Sequence, residues 1–191
     1  MKVKSQSLHG HNIGCVFNGS FSLDSEFIIT SGIDGQIRLY STCTKKCIVI
    51  YSGCDEPILS VMFSPNNNFF ASGCIDGVVR LWKMNIRRPL RMFVGHGSAV
   101  EVLAFHPNGV YLGSGSSDKT IRIWNIQSGE QVRVFIGHPA PITALTFTPN
   151  GLFLISADYQ GFIFIWDLRQ QQRNTSKNSY HIPTHPVVLR C

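Results

Sequence analysis

Short apolar runs separated by turn residues are the dominant pattern along the chain, and residues 95–124 show it most clearly. Within that stretch the apolar runs cover residues 100–105, 110–112 and 121–124. The turn sequence His-Pro-Asn-Gly follows the first run and Ser-Asp-Lys precedes the third. Proline presets φ, and glycine tolerates positive φ. No run has the length or the 3.6-residue period of a helix, so the pattern predicts three short strands in an antiparallel meander.

This stretch recurs along the chain with a period of 42 residues. The phenylalanines at the end of the first run are Phe21, Phe63, Phe105 and Phe147, and the aromatic residues that end the third run are Tyr40, Trp82, Trp124 and Trp166. A period of about 40–45 residues is typical of the four-stranded blades of a β-propeller. We therefore predict an all-β fold, a partial propeller of about four blades, with repeats at 10–52, 53–94, 95–136 and 137–168.

The two ends of the chain depart from this period. Residues 1–9 lie where an outer strand should precede the first repeat, so we expect them to belong to a preceding blade or to an extension. Residues 169–191 begin with a polar stretch, which predicts a loop, and continue into the start of a truncated further repeat. The fourth sheet should therefore have its outer strand missing or displaced.

Composition limits the classes of function. A content of 43% hydrophobic and 15% charged residues is typical of a globular chain. The sequence has no apolar run of about 18 residues and no apolar segment of a secretory signal near its start, so we expect neither a membrane span nor secretion. The expected location is the nucleus, with the cytoplasm as the alternative.

The net charge is +6, and five basic residues cluster between positions 80 and 91. This cluster could bind nucleic acid or an acidic protein, or it could be a solvated connection between two strands. Because no aromatic platform is interleaved with the cluster, we favour the connection and expect no sequence-specific binding of nucleic acid. The basic residues are Arg80, Lys83, Arg87, Arg88 and Arg91.

The six cysteines do not have the spacing of zinc ligands, and we expect reduced, buried thiols that act as small hydrophobic residues. Cys54 stands where the other repeats have the histidine of a Gly-His pair.

A hydroxyl residue, an acid and an aromatic residue recur at fixed offsets in each repeat. Together with the Gly-His histidines they resemble hydrolase triads, but a reaction needs one such set, whereas a structural contact is needed in every blade. We therefore predict a hydrogen-bonded clamp and expect no enzyme activity, no metal and no cofactor. Gln160 takes the place of the acid in the fourth repeat and Asp158 lies out of register, so the second and fourth clamps should be weaker. The predicted clamp residues are His11, Thr30, Asp34, Tyr40, Ser72, Asp76, Trp82, His96, Ser114, Asp118, Trp124, His138, Ser156 and Trp166.

These motifs resemble those of the WD-repeat family: Gly-His, then an acid in a turn, then a strand that ends in Trp-Asp. The resemblance covers residues 10–168, and Tyr40, Cys54, Gln160 and Asn125 depart from the family pattern. It implies a β-propeller that acts as a protein-interaction scaffold. Propellers of this family usually have seven blades, so four would leave two open edges. We therefore expect the isolated chain to self-associate, to be unstable or to need a partner that completes the ring.

A closer likeness lies in three segments. They read RPLRMFVGH at 88–96, FHPNGVYLGSGSSDKTIRIW at 105–124 and VRVFIGHPAPITALTFTPNG at 132–151. These segments are similar to the WD-repeat TATA-binding-protein-associated factors of TFIID and SAGA-type complexes. The resemblance implies that the partners are protein subunits of a transcription complex, and that the family's amino-terminal dimerisation region and later repeats lie outside this sequence. The alternative is an adaptor in a ubiquitin ligase or a cytoplasmic signalling complex.

The face that carries the Gly-His connections and the acid turns is the usual ligand face of the family. Offsets within the repeat place one residue of the first strand and one residue before the turn on this face in each blade. This set is apolar with one charge, so it indicates either a protein partner or packing at the inner rim. Its members are Phe17, Ile33, Leu59, Ile75, Glu101, Ser117, Thr143 and Tyr159.

Overall fold

The computed structural model describes Leu8, Gly10, His11 and residues 14–169, and every regular element among them is a β-strand. The all-β prediction is therefore confirmed. The strands of the first two sheets are β1 (Val16–Phe21), β2 (Phe27–Gly32), β3 (Ile37–Ser41), β4 (Cys47–Tyr51), β5 (Ile58–Phe63), β6 (Phe70–Cys74), β7 (Val79–Lys83) and β8 (Ile86–Phe93). Those of the other two are β9 (Val100–Phe105), β10 (Tyr111–Ser116), β11 (Thr120–Asn125), β12 (Gln131–Ile136), β13 (Ile142–Phe147), β14 (Phe153–Asp158) and β15 (Ile163–Asp167).

The strands form four consecutive antiparallel sheets, each ordered as in the sequence. The first three sheets have four strands, and the fourth has three, β13 to β15, within the described part of the chain. The first strands of successive sheets contact one another, β1 with β5, β5 with β9, and β9 with β13. This is the arrangement of four blades of a β-propeller. The Gly-His connections and the turns between second and third strands lie at one end of the sheets, which we call the loop face.

The turn between the first and second strands has the same backbone conformation in every sheet. Its residue with positive φ recurs every 42 residues, as Ser25 (60°), Asn67 (55°), Gly109 (69°) and Gly151 (71°). Glycine and asparagine adopt this left-handed conformation readily, whereas the serine carries a modest strain there. The backbone N–H of the residue with positive φ closes the turn, as in the bond from Gly109 to the carbonyl of His106.

The hydrophobic core lies between the sheets, in three clusters that correspond to the three junctions. One cluster joins the first and second sheets around Tyr51, Phe70 and Trp82. The next is built around Phe93 and Trp124, and the last around Phe164 and Trp166. Stacked or edge-on aromatic pairs recur in these clusters, as between Phe70 and Trp82, whose ring centroids are 6.0 Å apart.

The outer strand of the second sheet begins earlier than the sequence indicates. Proline is disfavoured inside a sheet, which would place the start after Pro89, near Leu90, but β8 starts at Ile86, directly after a two-residue turn. A proline is tolerated here because β8 is an edge strand and its register is irregular near this position. Arg87, Arg88 and Arg91 therefore lie on a strand, and the prediction of a solvated connection is wrong for them. The structure also buries Arg80 against Asp76, away from this surface.

The fourth sheet exposes apolar residues whose repeat equivalents are buried. Ile163 is 56% exposed, while Ile37, Val79 and Ile121, at the same position of the other sheets, are fully buried against the next sheet. At the opposite end of the row, Val16 of the first sheet is 51% exposed, whereas Ile58, Val100 and Ile142 are buried. The first and last sheets therefore each present a face shaped for a neighbouring sheet.

We predict that these two faces make the purified 191-residue chain self-associate, because the exposure of apolar sheet faces to water is unfavourable. Replacing Ile163 and Ile165 with Asp should lower the average mass measured by light scattering after size exclusion. The matched control replaces Ile48 and Ile50 with Asp. These two residues are also apolar and exposed, but they lie on the outer strand β4, so the control should leave the average mass unchanged. A monomeric parent chain at all accessible concentrations would contradict this prediction.

Candidate interaction surface

A buried chain of hydrogen bonds crosses the third sheet from its turn to its core. The His96 ring lies with Nδ1 2.9 Å from the Asp118 carboxylate and Nε2 2.8 Å from the Ser114 hydroxyl. The Trp124 indole N–H donates to that same hydroxyl oxygen over 2.8 Å. Since these residues come from the Gly-His connection and from β10, the turn and β11, the chain of bonds joins four parts of the blade.

The surroundings of the third clamp favour a neutral His96 ring between a charged Asp118 carboxylate and the Ser114 hydroxyl. Burial lowers the pKa of His96 below 6.5, against the opposing effect of Asp118. Burial acts to raise the pKa of Asp118, but hydrogen bonds from the Thr120 side chain, the Gly97 N–H and His96 outweigh it and bring that pKa to about 2. The ring therefore donates from Nδ1 to the carboxylate and accepts the hydroxyl proton of Ser114 at Nε2.

The first sheet repeats the histidine part of this arrangement. His11 Nδ1 is 2.7 Å from the Asp34 carboxylate, and Nε2 is 3.0 Å from the Thr30 hydroxyl. Tyr40 is buried at the tryptophan position, but it makes no hydrogen bond to Thr30 within the described residues. Its hydroxyl instead lies close to Gly10, where an added Cβ would be 3.5 Å away. The phenol replaces the volume of the indole but not its hydrogen bond.

In the fourth sheet our prediction of the acid is wrong. The carboxylate of Asp158 lies 2.9 Å from His138 Nδ1, while His138 Nε2 is 2.6 Å from Ser156 and Trp166 donates to Ser156 over 2.9 Å. Asp158 ends β14, two residues before Gln160, and its side chain reaches the ring from there. It also accepts the backbone N–H groups of Gln160 and Phe162, so it caps the turn as well. This clamp is complete and is the most deeply buried of the set.

The second sheet has no histidine in its clamp, as the sequence shows. Trp82 still donates to Ser72 over 2.8 Å, but Asp76 pairs instead with the guanidinium of Arg80 at 2.6 Å. Cys54 takes the histidine position and is buried. In each of the four sheets the clamp hydroxyl thus bonds at least one ring nitrogen, which is what a structural contact requires and a nucleophile does not.

The eight residues predicted for the loop face fall into pairs, one pair per sheet. A β-bulge places the first member of each pair: Phe17, Leu59, Glu101 and Thr143 are the extra residues where β1, β5, β9 and β13 shift register against the second strand. A bulge redirects a side chain and strengthens the local twist. Nothing in the local sequence marks these bulges, and the recurrence every 42 residues is their only signal.

The second member of each pair lies beside the bulge. The backbone N–H of Ile33, Ile75, Ser117 and Tyr159 donates to the carbonyl two residues before the bulge residue of the same sheet. The Ser117 hydroxyl also donates to the Glu101 carboxylate over 2.6 Å. Phe17, Ile33, Ile75, Thr143 and Tyr159 are exposed, whereas Leu59, Glu101 and Ser117 are partly buried. The structure thus brings the pairs to one end of the sheets, with an apolar and largely exposed surface.

Comparison with known families agrees with this architecture. The family model described as WD domain, G-beta repeat matches four segments, at residues 2–41, 45–83, 87–125 and 129–167. The chain belongs to the WD-repeat family. The second matched segment contains β4 and then β5 to β7, so a WD repeat in this chain combines the outer strand of one sheet with three strands of the next. No curated protein matches the chain.

WD-repeat propellers generally mediate protein–protein interactions and typically act as non-catalytic scaffolds, which is the class of function that the family gives to this chain. A cavity of about 300 Å³ lies between the third and fourth sheets at the end opposite the loop face. His106, Tyr111 and Phe147 line it, and none of the eight loop-face residues does. No helix in the described part of the chain is long and apolar enough to cross a membrane.

The cysteines differ in environment. Cys54 and Cys74 are buried, but Cys15, Cys43 and Cys47 are exposed, so the expectation of buried thiols is wrong for these three. Cys191 lies outside the described residues. Among the described residues, Cys54, Cys74 and Asp76 form the one group whose sulfur and oxygen atoms, all within 4.8 Å of one another, could surround a metal ion.

We predict that Asp158→Ala destabilises the chain by about 1–3 kcal/mol, because it leaves the buried His138 without its partner. Gln160→Ala is the matched control, since the exposed Gln160 side chain makes no hydrogen bond within the described residues, and it should change stability little. Chemical denaturation of both variants measures the difference. Equal effects would contradict the assignment of Asp158 to the clamp.

We also predict that acidification destabilises the third blade through His96. Its folded pKa lies below 6.5, so the unfolded chain binds the proton more readily, and the free energy of unfolding should fall as the pH drops from 6.5 towards that lower folded value. Above pH 6.5 this contribution is constant. Urea unfolding at a series of pH values gives the free energy of unfolding as a function of pH. Below pH 6.5 this free energy should change less steeply with pH for His96→Gln than for the parent. An identical slope would refute the role of His96.

Proposed function

We propose that this WD-repeat chain is a non-catalytic scaffold subunit of a general transcription or coactivator complex of the TFIID or SAGA type, acting in the nucleus. The scaffold part of the proposal rests chiefly on the loop face. Four bulges at the same position of four sheets place their side chains in a row, two of them the apolar Phe17 and Leu59, next to the turns between second and third strands.

The clamp makes this surface suitable for recognition. Each turn carboxylate holds the backbone beside a loop-face residue: Asp118 binds His96 one position after Ser117, and Asp158 binds His138 one position before Tyr159. A surface whose backbone is fixed before binding loses less conformational entropy on association than a mobile loop does. Rigid turns with variable side chains therefore favour a specific protein partner.

The chemistry of the surface favours a protein over a nucleic acid. The loop-face set contains one acidic and no basic residue, whereas a nucleic-acid surface needs lysine and arginine to neutralise phosphates. The exposed arginines Arg87, Arg88 and Arg91 lie on β8, close to the turn at the opposite end of the sheet. They could make a secondary contact with an acidic partner surface, and salt would screen it.

The assignment to a transcription complex is supported by the sequence likeness of residues 88–96, 105–124 and 132–151 to the WD-repeat TATA-binding-protein-associated factors. The alternative is an adaptor of a ubiquitin ligase or of a cytoplasmic signalling complex, because one fold carries many functions. The two proposals differ in their partners and in their location, and a list of partners distinguishes them.

Affinity purification of the tagged chain from cells, followed by mass spectrometry, tests the proposal. We expect subunits of a TFIID or SAGA-type complex, and we expect Ile75→Asp with Tyr159→Asp to abolish their recovery, because both side chains are exposed on the loop face. Ile75 is preferred to Leu59 because Leu59 is partly buried. Circular dichroism should be unchanged.

The matched control is Ile48→Asp with Val132→Asp, which places the same charges at exposed apolar positions of the outer strands β4 and β12. This control should retain the partners. Recovery of ubiquitin-ligase subunits instead would overturn the transcription assignment but not the scaffold. If the loop-face variant keeps its partners while the control loses them, the loop face is not the partner surface.

A further inference from the structure

The second blade carries two buried thiols at the two positions where the fourth blade has a bonded histidine and acid. Cys54 and Cys74 precede His138 and Asp158 by two periods of 42 residues. In the fourth blade those two side chains are joined over 2.9 Å. In the second blade the sulfur atoms of Cys54 and Cys74 lie within 4.8 Å of each other.

The backbone around Cys54 shows that this equivalence is structural. A Cβ added at Gly35 would lie 2.6 Å from the carbonyl oxygen of Cys54, and one added at Gly77 would lie 2.9 Å from that of His96. Each glycine is therefore in close contact with the connection that carries the next clamp residue. Cys54 has the backbone position of a clamp histidine, with a thiol in place of the ring.

The surroundings of the pair favour a reactive Cys54 and a protonated Cys74. The pKa of Cys54 is lowered, first by the interaction with the Cys74 thiol and then by the Glu56 backbone and the positive charge of Arg80, against the effects of burial and of the Asp76 charge. The pKa of Cys74 is raised by the same interaction and by burial. A lowered thiol pKa, a nearby arginine and a second thiol are features of oxidisable cysteines, and they are present here at two buried sulfur atoms.

A resident metal ion fits the group less well. The Asp76 carboxylate already accepts both guanidinium N–H groups of Arg80, at 2.6 and 3.2 Å, and the backbone N–H of Val78 at 2.9 Å. A divalent cation would have to displace the Arg80 contacts and lie close to its charge. Among the described residues the two sulfur atoms have no charged partner of that kind, since the Cys74 thiol donates to the backbone carbonyls of Pro57 at 3.2 Å and Glu56 at 3.5 Å.

We propose that Cys54 and Cys74 are a peroxide-sensitive modification site that closes to a disulfide across the second blade. The Cys54 thiolate attacks an oxygen of hydrogen peroxide, the O–O bond breaks, and Cys54 becomes a sulfenic acid as hydroxide leaves. That hydroxide takes the proton of Cys74, whose pKa falls once the neighbouring thiolate charge is gone. The Cys74 sulfur then attacks the sulfenic sulfur, and a second hydroxide leaves.

The two electrons lost by the thiols reduce the peroxide, so the step needs no other reactant. The new bond ties the connection between the first two sheets to the end of β6. That is the link that the His138–Asp158 bond provides in the fourth blade and that the second blade lacks. Oxidation should therefore stabilise the weakest of the four clamps, because a crosslink restricts the unfolded chain.

The test uses the full reduced chain, treated with limiting hydrogen peroxide, alkylated and digested with chymotrypsin. Trypsin is unsuitable because it leaves Cys47, Cys54 and Cys74 in one fragment, between Lys46 and Arg80. We expect a disulfide-linked pair of fragments that contains Cys54 and Cys74. We also expect a raised midpoint of thermal unfolding, which a thiol reductant should reverse.

Three variants keep the result interpretable. Cys47→Ser removes an exposed thiol of the same region and should respond like the parent. Cys74→Ser introduces the residue that the third blade has at this position, Ser116, and should halt Cys54 at the sulfenic acid, trapped by dimedone, with no rise in the midpoint. Cys54→His restores the family residue beside Asp76 and should raise the midpoint without peroxide and abolish the response to it.

The proposal is overturned if Cys54 and Cys74 remain alkylatable while Cys15, Cys43 or Cys47 are oxidised. It is also overturned if peroxide takes Cys54 to higher oxides with no link to Cys74. If one equivalent of zinc added to the reduced chain protects both thiols and raises the midpoint as the disulfide would, the pair is a metal site and not an oxidation site.

Discussion

The buried hydrogen bond between the clamp histidine and the turn carboxylate is the interaction on which the rest of the structure depends. It joins the Gly-His connection that enters a blade to the turn between the second and third strands of that blade. It therefore fixes the loop face, on which the proposed partner surface lies. The packing between sheets could tolerate small shifts, but a buried ring without its partners costs about 1–3 kcal/mol. The first, third and fourth blades all make this bond with a histidine and an aspartate, but the aspartate of the fourth blade comes from two residues earlier in the repeat.

Much of the fold could be predicted from the period alone. Phenylalanine and tryptophan recur every 42 residues because each marks the same strand end of a repeated sheet, and this predicted the all-β blades. The expected loss or displacement of the outer strand of the fourth sheet, and the truncated further repeat, concern residues 170–191, which lie outside the described residues. The predictions that were wrong, for the clamp acid of the fourth blade and for the start of β8, depend on backbone geometry that side-chain identity does not reveal. Asp158 reaches His138 from a position two residues before the one that the period assigns to the acid, because the end of β14 directs its side chain towards the ring. Pro89 lies inside β8 because an edge strand needs no N–H there.

The candidate surface was harder to derive than the fold. Offsets placed eight residues at one end of the sheets, but the sequence gives no sign that Phe17, Leu59, Glu101 and Thr143 are bulge residues. Burial also separates this set into exposed and half-buried members, since Ser117 binds Glu101 while Tyr159 extends into solvent. Which proteins bind there depends on the partner as well as on this chain, and for that reason the transcription complex is a proposal and the scaffold class follows from the family.

Hydrogen exchange of the chain within its purified assembly, compared with the free chain, tests the central claim most directly. The claim is that clamped turns at the loop face form the partner surface. The account predicts that binding slows exchange in the turns around Ile33, Ile75, Ser117 and Tyr159 and leaves the outer strands β4 and β12 unchanged. Protection confined to the outer strands, or to the opposite end around His106, would contradict it.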